Sequence, residues 1–564
     1  MLRPMPDPRV PLMSLTKTVL GSALALAMAV PAAASTPDQR TIMAEYVKAR
    51  AADADGYTEA AAKGYAAVLA AAPDNAGVAK RAYRQAMVAG DRALALKAVK
   101  ALEAQNAVPP DARLLLLADA VGRRDWKGAS VLADQIEKEA VFAFVVPVLR
   151  AWIAYGAHQG DPLAALDGAR KAGGLATAYA TEHRALLLLL MKGRQQEGVA
   201  AIRALAMTNN ARLARLRLAA AAEVAKNDRD TALSLLAGDD AVSAAARARL
   251  SAGKPLPGAI DTPARGIAEL FVRIAIDVNR EHVPPLAISF ARLSTFLAPD
   301  NAEGWLVTSE LLGANGEEHA ALATLDRISA DDPLADAASA MRVRLLARDG
   351  NLEGALKIAL ARANGPRADA GDWTSVGGVY AALERYMEAA DAYGRALALT
   401  DKADGDARWP ILLLQASMLD KAGKWPEAKQ ALKAALKIAP DQAVLLNYLG
   451  YAQLERGENL KEAMKLVEQA SKLKPDDAAI TDSLGWAYYL QGDIPAAIEA
   501  LERAVAADPG QSTLNEHLGD AYWAAGRRIE ARWEWRAALV FAEEQDATRL
   551  RDKIENGLSK TVKR

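Results

Sequence analysis

One pattern of small and bulky residues returns at a near-constant interval and limits what this chain can become. Leu484, Gly485, Tyr488, Gly492, Ala497, Leu501, Ala504 and Pro509 are followed, 34 residues on, by Leu518, Gly519, Tyr522, Gly526, Ala531, Trp535 and Ala538. The same order stands upstream as Leu449, Gly450, Gly457, Ala463, Val467, Ala470 and Pro475, offset by 35 because the turn around Glu458 and Asn459 holds one more residue. A period of this size is one pair of helices. Gly485 and Ala497 are small where two antiparallel helices must cross closely, and Leu484 and Tyr488, one turn apart, fill the space around that crossing. Gly492 stands where the first helix ends and the chain reverses, and Pro509 follows the second helix, whose interior it would break.

Looser copies extend the pattern toward the N-terminus. Trp373, Gly377, Tyr380, Ala389, Tyr393 and Ala396 form one unit, and Gly423, Ala428, Leu432, Ala435 and Pro440 another. Trp305, Gly316, Ala321, Leu325 and Pro333 form a third, Gly350 and Ala355 a degenerate fourth, and Ala287, Ala291 and Pro299 the tail of a fifth. Gly56, Ala61, Tyr65 and Pro73 open the series. Between Asn75 and Leu250 helical periodicity continues with few signature residues, which reads as divergent copies of the same hairpin.

Where Leu-Gly-x-x-Tyr leads to Ala-x-x-x-Leu and then Pro, the chain resembles the tetratricopeptide repeat (TPR) family. The resemblance implies an all-α fold, an α-solenoid of roughly a dozen TPR-type hairpins wound as a right-handed superhelix. The wider set of Asp55-Gly56-Tyr57, Asp261 to Gly266, Asn447 to Tyr451, Asp482 to Ala487 and His517 to Asp520 resembles exported alphaproteobacterial repeat proteins. The C-terminal third is similar to periplasmic TPR adaptor lipoproteins of carboxyl-terminal processing proteases. Those carry a lipid-bearing cysteine, and this chain has no cysteine.

The expected organisation is a signal peptide over 1–34, divergent hairpins over 35–250, a Gly/Pro-rich joint over 251–265, middle repeats over 266–407, well-matched repeats over 408–545, and a basic tail over 546–564. Arg3, Arg9 and Lys17, the apolar stretch Val19 to Val30, and Ala32 to Ala34 follow the order of a cleaved secretory signal, with cleavage after Ala34. Met1 and Met13 both serve as candidate starts. Beyond the signal no apolar run is long enough to span a bilayer, and Ala185 to Met191 reads as a buried helix face. Periplasmic localisation is the expectation.

Sixty-nine Lys and Arg balance 70 Asp and Glu, leaving no net field to gather nucleic acid. Without cysteine, thiolate metal sites and cysteine nucleophiles are excluded. His158, His183, His282, His319 and His517 share no metal-ligand spacing and read as helix-surface residues, and neither Gly253-Lys254 nor Gly423-Lys424 has the glycine a phosphate loop needs. No cofactor, metal or catalytic residue is nominated, and the expected activity is non-enzymatic.

What remains is surface for holding a protein or peptide. Asp482, Trp486 and Tyr489 lie at i, i+4 and i+7 on a face distinct from Leu484 and Tyr488, and Glu516, Asp520 and Trp523 repeat the spacing. Asn447 and Tyr451 precede them. This ladder of rings, acids and an amide suits a peptide backbone with basic or apolar side chains. The same aromatics also suit packing between neighbouring first helices, and both readings stand at this point. The leading function is a scaffold or adaptor for a periplasmic protease or a cell-envelope assembly complex. The alternative is a component that binds or processes envelope glycan, peptidoglycan or exopolysaccharide. Arg527, Arg528, Arg532, Trp533, Trp535 and Arg536 read as a capping helix with Trp535 in the core.

Overall fold

The computed structural model describes residues 39–558 apart from 170–172, 209 and 239, so the expected signal segment and the last six residues lie outside the described residues. Thirty α-helices and one short 3-10 turn make up the regular structure among the described residues, with no strand. Within each of two compact units they pack as pairs, successive pairs against one another, so the all-α hairpin array read from the repeat is the observed architecture. Two compact units divide within the helix Leu352–Ala363, one ending at Ile358 and the other starting at Ala359.

The unit ending at Ile358 begins with the hairpins Gln39–Ala54 with Thr58–Ala71, Ala76–Ala89 with Arg92–Glu103, and Pro110–Gly122 with Trp126–Glu139. Their connections are short because caps end the helices cleanly. Asn75, Asp91 and Asp125 accept hydrogen bonds from the backbone N–H of Val78, Leu94 and Gly128, and Gly90 takes the left-handed conformation at φ 77°. The apolar run Ala185 to Leu189 is buried within the helix Gly174–Leu190.

The expected joint, 251–265, runs inside this unit, with Leu256, Ala259 and Ile260 buried, and delivers the chain to the helix Pro263–Arg280, capped by Thr262. That helix packs on the first helices Pro110–Gly122, Val146–Ala157 and Gly174–Leu190 of earlier hairpins. The next, Pro284–Leu297, packs on Ala76–Ala89 and Pro110–Gly122. The unit thus covers the first-helix face of its own early hairpins with a later hairpin. Nearly every residue from Gly266 to Ala275 is buried, as a helix enclosed on several sides requires. A Cβ on Gly266 would stand 2.2 Å from Cε2 of the fully buried Trp152, so only glycine admits the indole there.

Polar groups carried inside by this docking find partners. Tyr179 donates to Asp277 at 2.8 Å, Ser289 to Asp111 at 3.2 Å and Arg292 to the Val88 carbonyl at 2.5 Å. Arg273, buried, pairs with Glu269 at 2.6 Å and faces Glu303 at 3.5 Å. Burial, with Glu303 and Glu182 nearby, raises the Glu269 carboxyl above the usual carboxylate range despite Arg273. The Trp152 indole N–H donates to His183 Nδ1 at 3.0 Å, which puts the neutral ring's proton on Nε2, a buried atom with no partner. His183 is therefore a core residue rather than a helix-surface one, and burial lowers its pKa to about 3.

The unit from Ala359 holds the hairpins Ala370–Ala382 with Tyr386–Leu399, Gly405–Lys421 with Trp425–Ile438, Ala443–Glu455 with Leu460–Leu473, Ala478–Gln491 with Ile494–Ala507, and Ser512–Ala524 with Arg528–Phe541. The repeat's small residues sit at the crossings. A Cβ on Gly377, Gly450, Gly485 or Gly519 would lie 2.5–2.7 Å from Tyr393, Val467, Leu501 or Trp535 respectively, and Ala389, Ala463, Ala497 and Ala531 have no exposed surface. Asn459 takes φ 49°, which accommodates the extra turn residue seen in the sequence. Where the sequence suggested only a basic tail, Glu544–Asn556 forms a further helix against the last hairpin.

Candidate functional site

The face named from sequence spacing is built by three successive first helices, Ala443–Glu455, Ala478–Gln491 and Ser512–Ala524, each stacked on the next but one in the chain. Their entries are fixed locally. Asp477 accepts from the Ile480 N–H at 3.1 Å, and Asn515 donates to the carbonyls of Pro509 and Gln511 at 3.0 and 2.7 Å, tying the turn to the helix it opens.

Trp486 is the centre of this face. Its ring stacks on Tyr489, centroids 4.7 Å apart and 12° from parallel, and on His517 from the next first helix, 4.1 Å apart and 14° from parallel. Its indole N–H donates to Glu455 of the preceding first helix. His517 Nδ1 lies 2.9 Å from Asp482, so a chain of polar and ring contacts, Glu455 to Trp486 to His517 to Asp482, links all three helices. His517 is buried, which corrects the surface placement expected for it. Burial lowers its pKa, but Asp482, with Asp520 and Glu516, outweighs burial and leaves it raised.

Tyr451 and Asn447 lie half-buried beside this stack. Burial, then the charges of Glu455, Asp482 and Glu516, push the Tyr451 hydroxyl well above the ordinary phenol range. The Asn447 side-chain oxygen is buried without a hydrogen-bond partner.

The C-terminal end of the ladder is covered by the chain itself. Glu516 accepts from Arg549 at 2.7 and 3.0 Å and pairs with Lys553 at 2.7 Å; burial disfavours its charge, but these cations hold its pKa below the usual range. Asp520 accepts from Lys553 at 2.7 and 2.8 Å and from the Trp535 indole N–H at 2.8 Å, with burial nonetheless raising its pKa. Trp523 packs on Trp535 at 5.3 Å, and the guanidinium groups of Arg528 and Arg532 stand 5.1 Å from its ring centre. A Cβ on Gly557 would fall 2.0 Å from Trp523, so the chain after the last helix lies on that ring.

Tyr451, Asp482, Trp486, Tyr489 and Glu516 thus share one neighbourhood, while Asp520 and Trp523 are enclosed by the last hairpin and the last helix. Sequence reasoning missed Glu455, His517, Arg549 and Lys553. His517 stands 34 residues after Ser483, so the repeat carried no sign of a ring there, and the segment holding Arg549 and Lys553 does not follow the repeat at all. Among the described residues no group of three or more His, Asp or Glu side chains converges as a metal site.

A family model described as tetratricopeptide repeat matches residues 421–485, the stretch that runs from the end of one first helix to Gly485. No curated protein matches the chain significantly. Among solved structures, the APC/C hetero-tetramer Cut9–Hcn1 shares 15% identity over 92% of this chain and 96% of its own, with a TM-score of 0.36. A tetratricopeptide repeat protein from Parabacteroides merdae shares 16% over 45% of this chain and 99% of its own, TM-score 0.38. A thermophilic TPR protein in Thermus thermophilus shares 23% over 33% and 98%, TM-score 0.29. Among the described residues no helix is long and apolar enough to cross a membrane.

Proposed function

We propose that this protein is an exported, non-catalytic scaffold that holds a protein or peptide segment on the first-helix face between Ala443 and Ala524. Its role is that of an adaptor for a periplasmic protease or a cell-envelope assembly complex. The carrying observation is the ring stack of Tyr489, Trp486 and His517, edged by Glu455, Asp482 and Tyr451 and by an Asn447 oxygen that lacks a partner. Flat rings offer area to a side chain, and the carboxylates favour a basic residue. The chain's own last helix illustrates the preference, since Arg549 and Lys553 satisfy Glu516 and Asp520. Export rests on the basic, apolar and small-residue order of the first 34 residues, and the adaptor role on the resemblance of the C-terminal third to periplasmic adaptor lipoproteins.

The test is affinity capture and cross-linking from intact cells, with partner identification and then binding measured between purified components. Trp486→Ala should weaken that binding at least tenfold while the variant keeps the parent's circular dichroism. Unchanged binding by the folded variant, or retention on peptidoglycan with no protein partner, overturns the proposal. Release of the processed chain by osmotic shock checks the location.

A further inference from the structure

The helix Arg528–Phe541 turns Trp535 inward, without exposed surface against Gly519, and leaves a second stripe facing outward. Ile529, Trp533 and Val540 are 66%, 60% and 75% exposed, the highest values among the large apolar residues described in this unit, with Leu399 and Phe541 next at 52%. Arg536 is exposed between Trp533 and Val540 and has no ion pair to a described residue. At 100° per residue these four side chains fall within a sector of about 60°. The other cations on the helix are engaged elsewhere: Arg528 and Arg532 stand over Trp523, and Arg532 also donates to the Ile554 carbonyl at 2.8 Å.

The order along this stripe is aliphatic, aromatic, cation, aliphatic, with spacings of 4, 3 and 4, the same in either direction. Two copies of the helix set antiparallel about a two-fold axis bring Ile529 opposite Val540 of the second copy and Trp533 opposite Arg536 of the second copy. Both pairings occur twice, as an isologous interface demands. We propose that this stripe is the interface of a homodimer, held by two aliphatic contacts and two cation–π contacts.

Other occupants fit less well. A parallel pair would set Arg536 against itself. An anionic bilayer would meet Glu530 beside the stripe, and an unrelated protein would have to supply its own partner for Arg536. A second copy supplies the indole face with nothing added. A 14-residue helix is about 21 Å long, shorter than a standard interface spans, so the dimer is a weak one that forms with rising concentration.

The absence of cysteine makes the geometry directly testable on the full exported chain. Sedimentation velocity up to about 200 µM should show monomer passing to dimer with rising concentration. Trp533→Ala or Arg536→Glu should weaken it at least about tenfold, and Arg536→Lys should largely restore it. Mild oxidation of Ile529→Cys mixed with Val540→Cys should give a cross-linked dimer, while neither variant alone does, because equal positions lie about 16 Å apart along the pair. A monomer at the highest concentration overturns the proposal, as does equal cross-linking by either single variant or a Trp533→Ala dimer of parental strength. Because these side chains are exposed, loss of fold is not expected; matching melting curves check this.

Discussion

Removing Trp535 tests how the terminal hairpin is held. Its ring has no exposed surface, lies against Gly519 and Trp523, and donates its indole N–H to Asp520 at 2.8 Å. Trp535→Ala deletes that packing and leaves a cavity, for which buried Trp-to-Ala changes cost about 3–5 kcal/mol. Trp535→Phe keeps most of the ring and removes the donor, leaving Asp520 to Lys553 alone, which costs about 1–3 kcal/mol. In a hairpin array each unit leans chiefly on its neighbours, so the loss should stay near the end of the chain. Hydrogen exchange by mass spectrometry reads this directly. Protection in segments 512–524 and 528–541 should fall by roughly 10²- to 10⁴-fold in Trp535→Ala, and by less in Trp535→Phe, with segments 370–421 unchanged. Uniform loss across 370–556, or none at the terminus, would show that the hairpins are not coupled as neighbours and refute the reasoning.

Among the described residues Lys553→Met strips one of the two cations paired with Glu516 and the one paired with Asp520, and should loosen segment 512–556 by about 2–3 kcal/mol in the same exchange experiment. Adding Asp520→Asn should recover part of that loss, and no recovery would argue against the pair. His517 is held above its unfolded pKa, so its stabilising effect is complete below the unfolded value of about 6.5 and fades as pH rises through the folded pKa. Urea midpoints of the terminal hairpins should therefore fall between mildly acidic and alkaline pH in the parent and less so in His517→Gln; identical slopes would sink the assignment. In the other unit, Gly266→Ala forces a methyl onto Trp152 and should lower stability by about 1–3 kcal/mol, read as an earlier thermal transition.

The hairpin array was legible in the sequence because a close helix crossing admits only small side chains. Gly485 and Ala497, Gly519 and Ala531, and Gly450 and Ala463 announce those crossings before any coordinates are known, and the structure puts them there. Asp482, Trp486 and Tyr489 were legible as one face for the same reason: their positions relative to Leu484 and Gly485 are fixed within one helix.

Sequence alone could not join segments that the repeat does not relate. Only the tertiary fold laid Arg549 and Lys553 on Glu516 and Asp520, set His517 between Trp486 and Asp482, and returned Pro263–Arg280 and Pro284–Leu297 to the first helices of earlier hairpins. Local spacing records which residues share a helix face, since 3.6 residues make a turn wherever the helix lies. Which distant helix covers that face depends on how successive hairpins are rotated against one another. That rotation sums many small packing differences, and no single residue carries it.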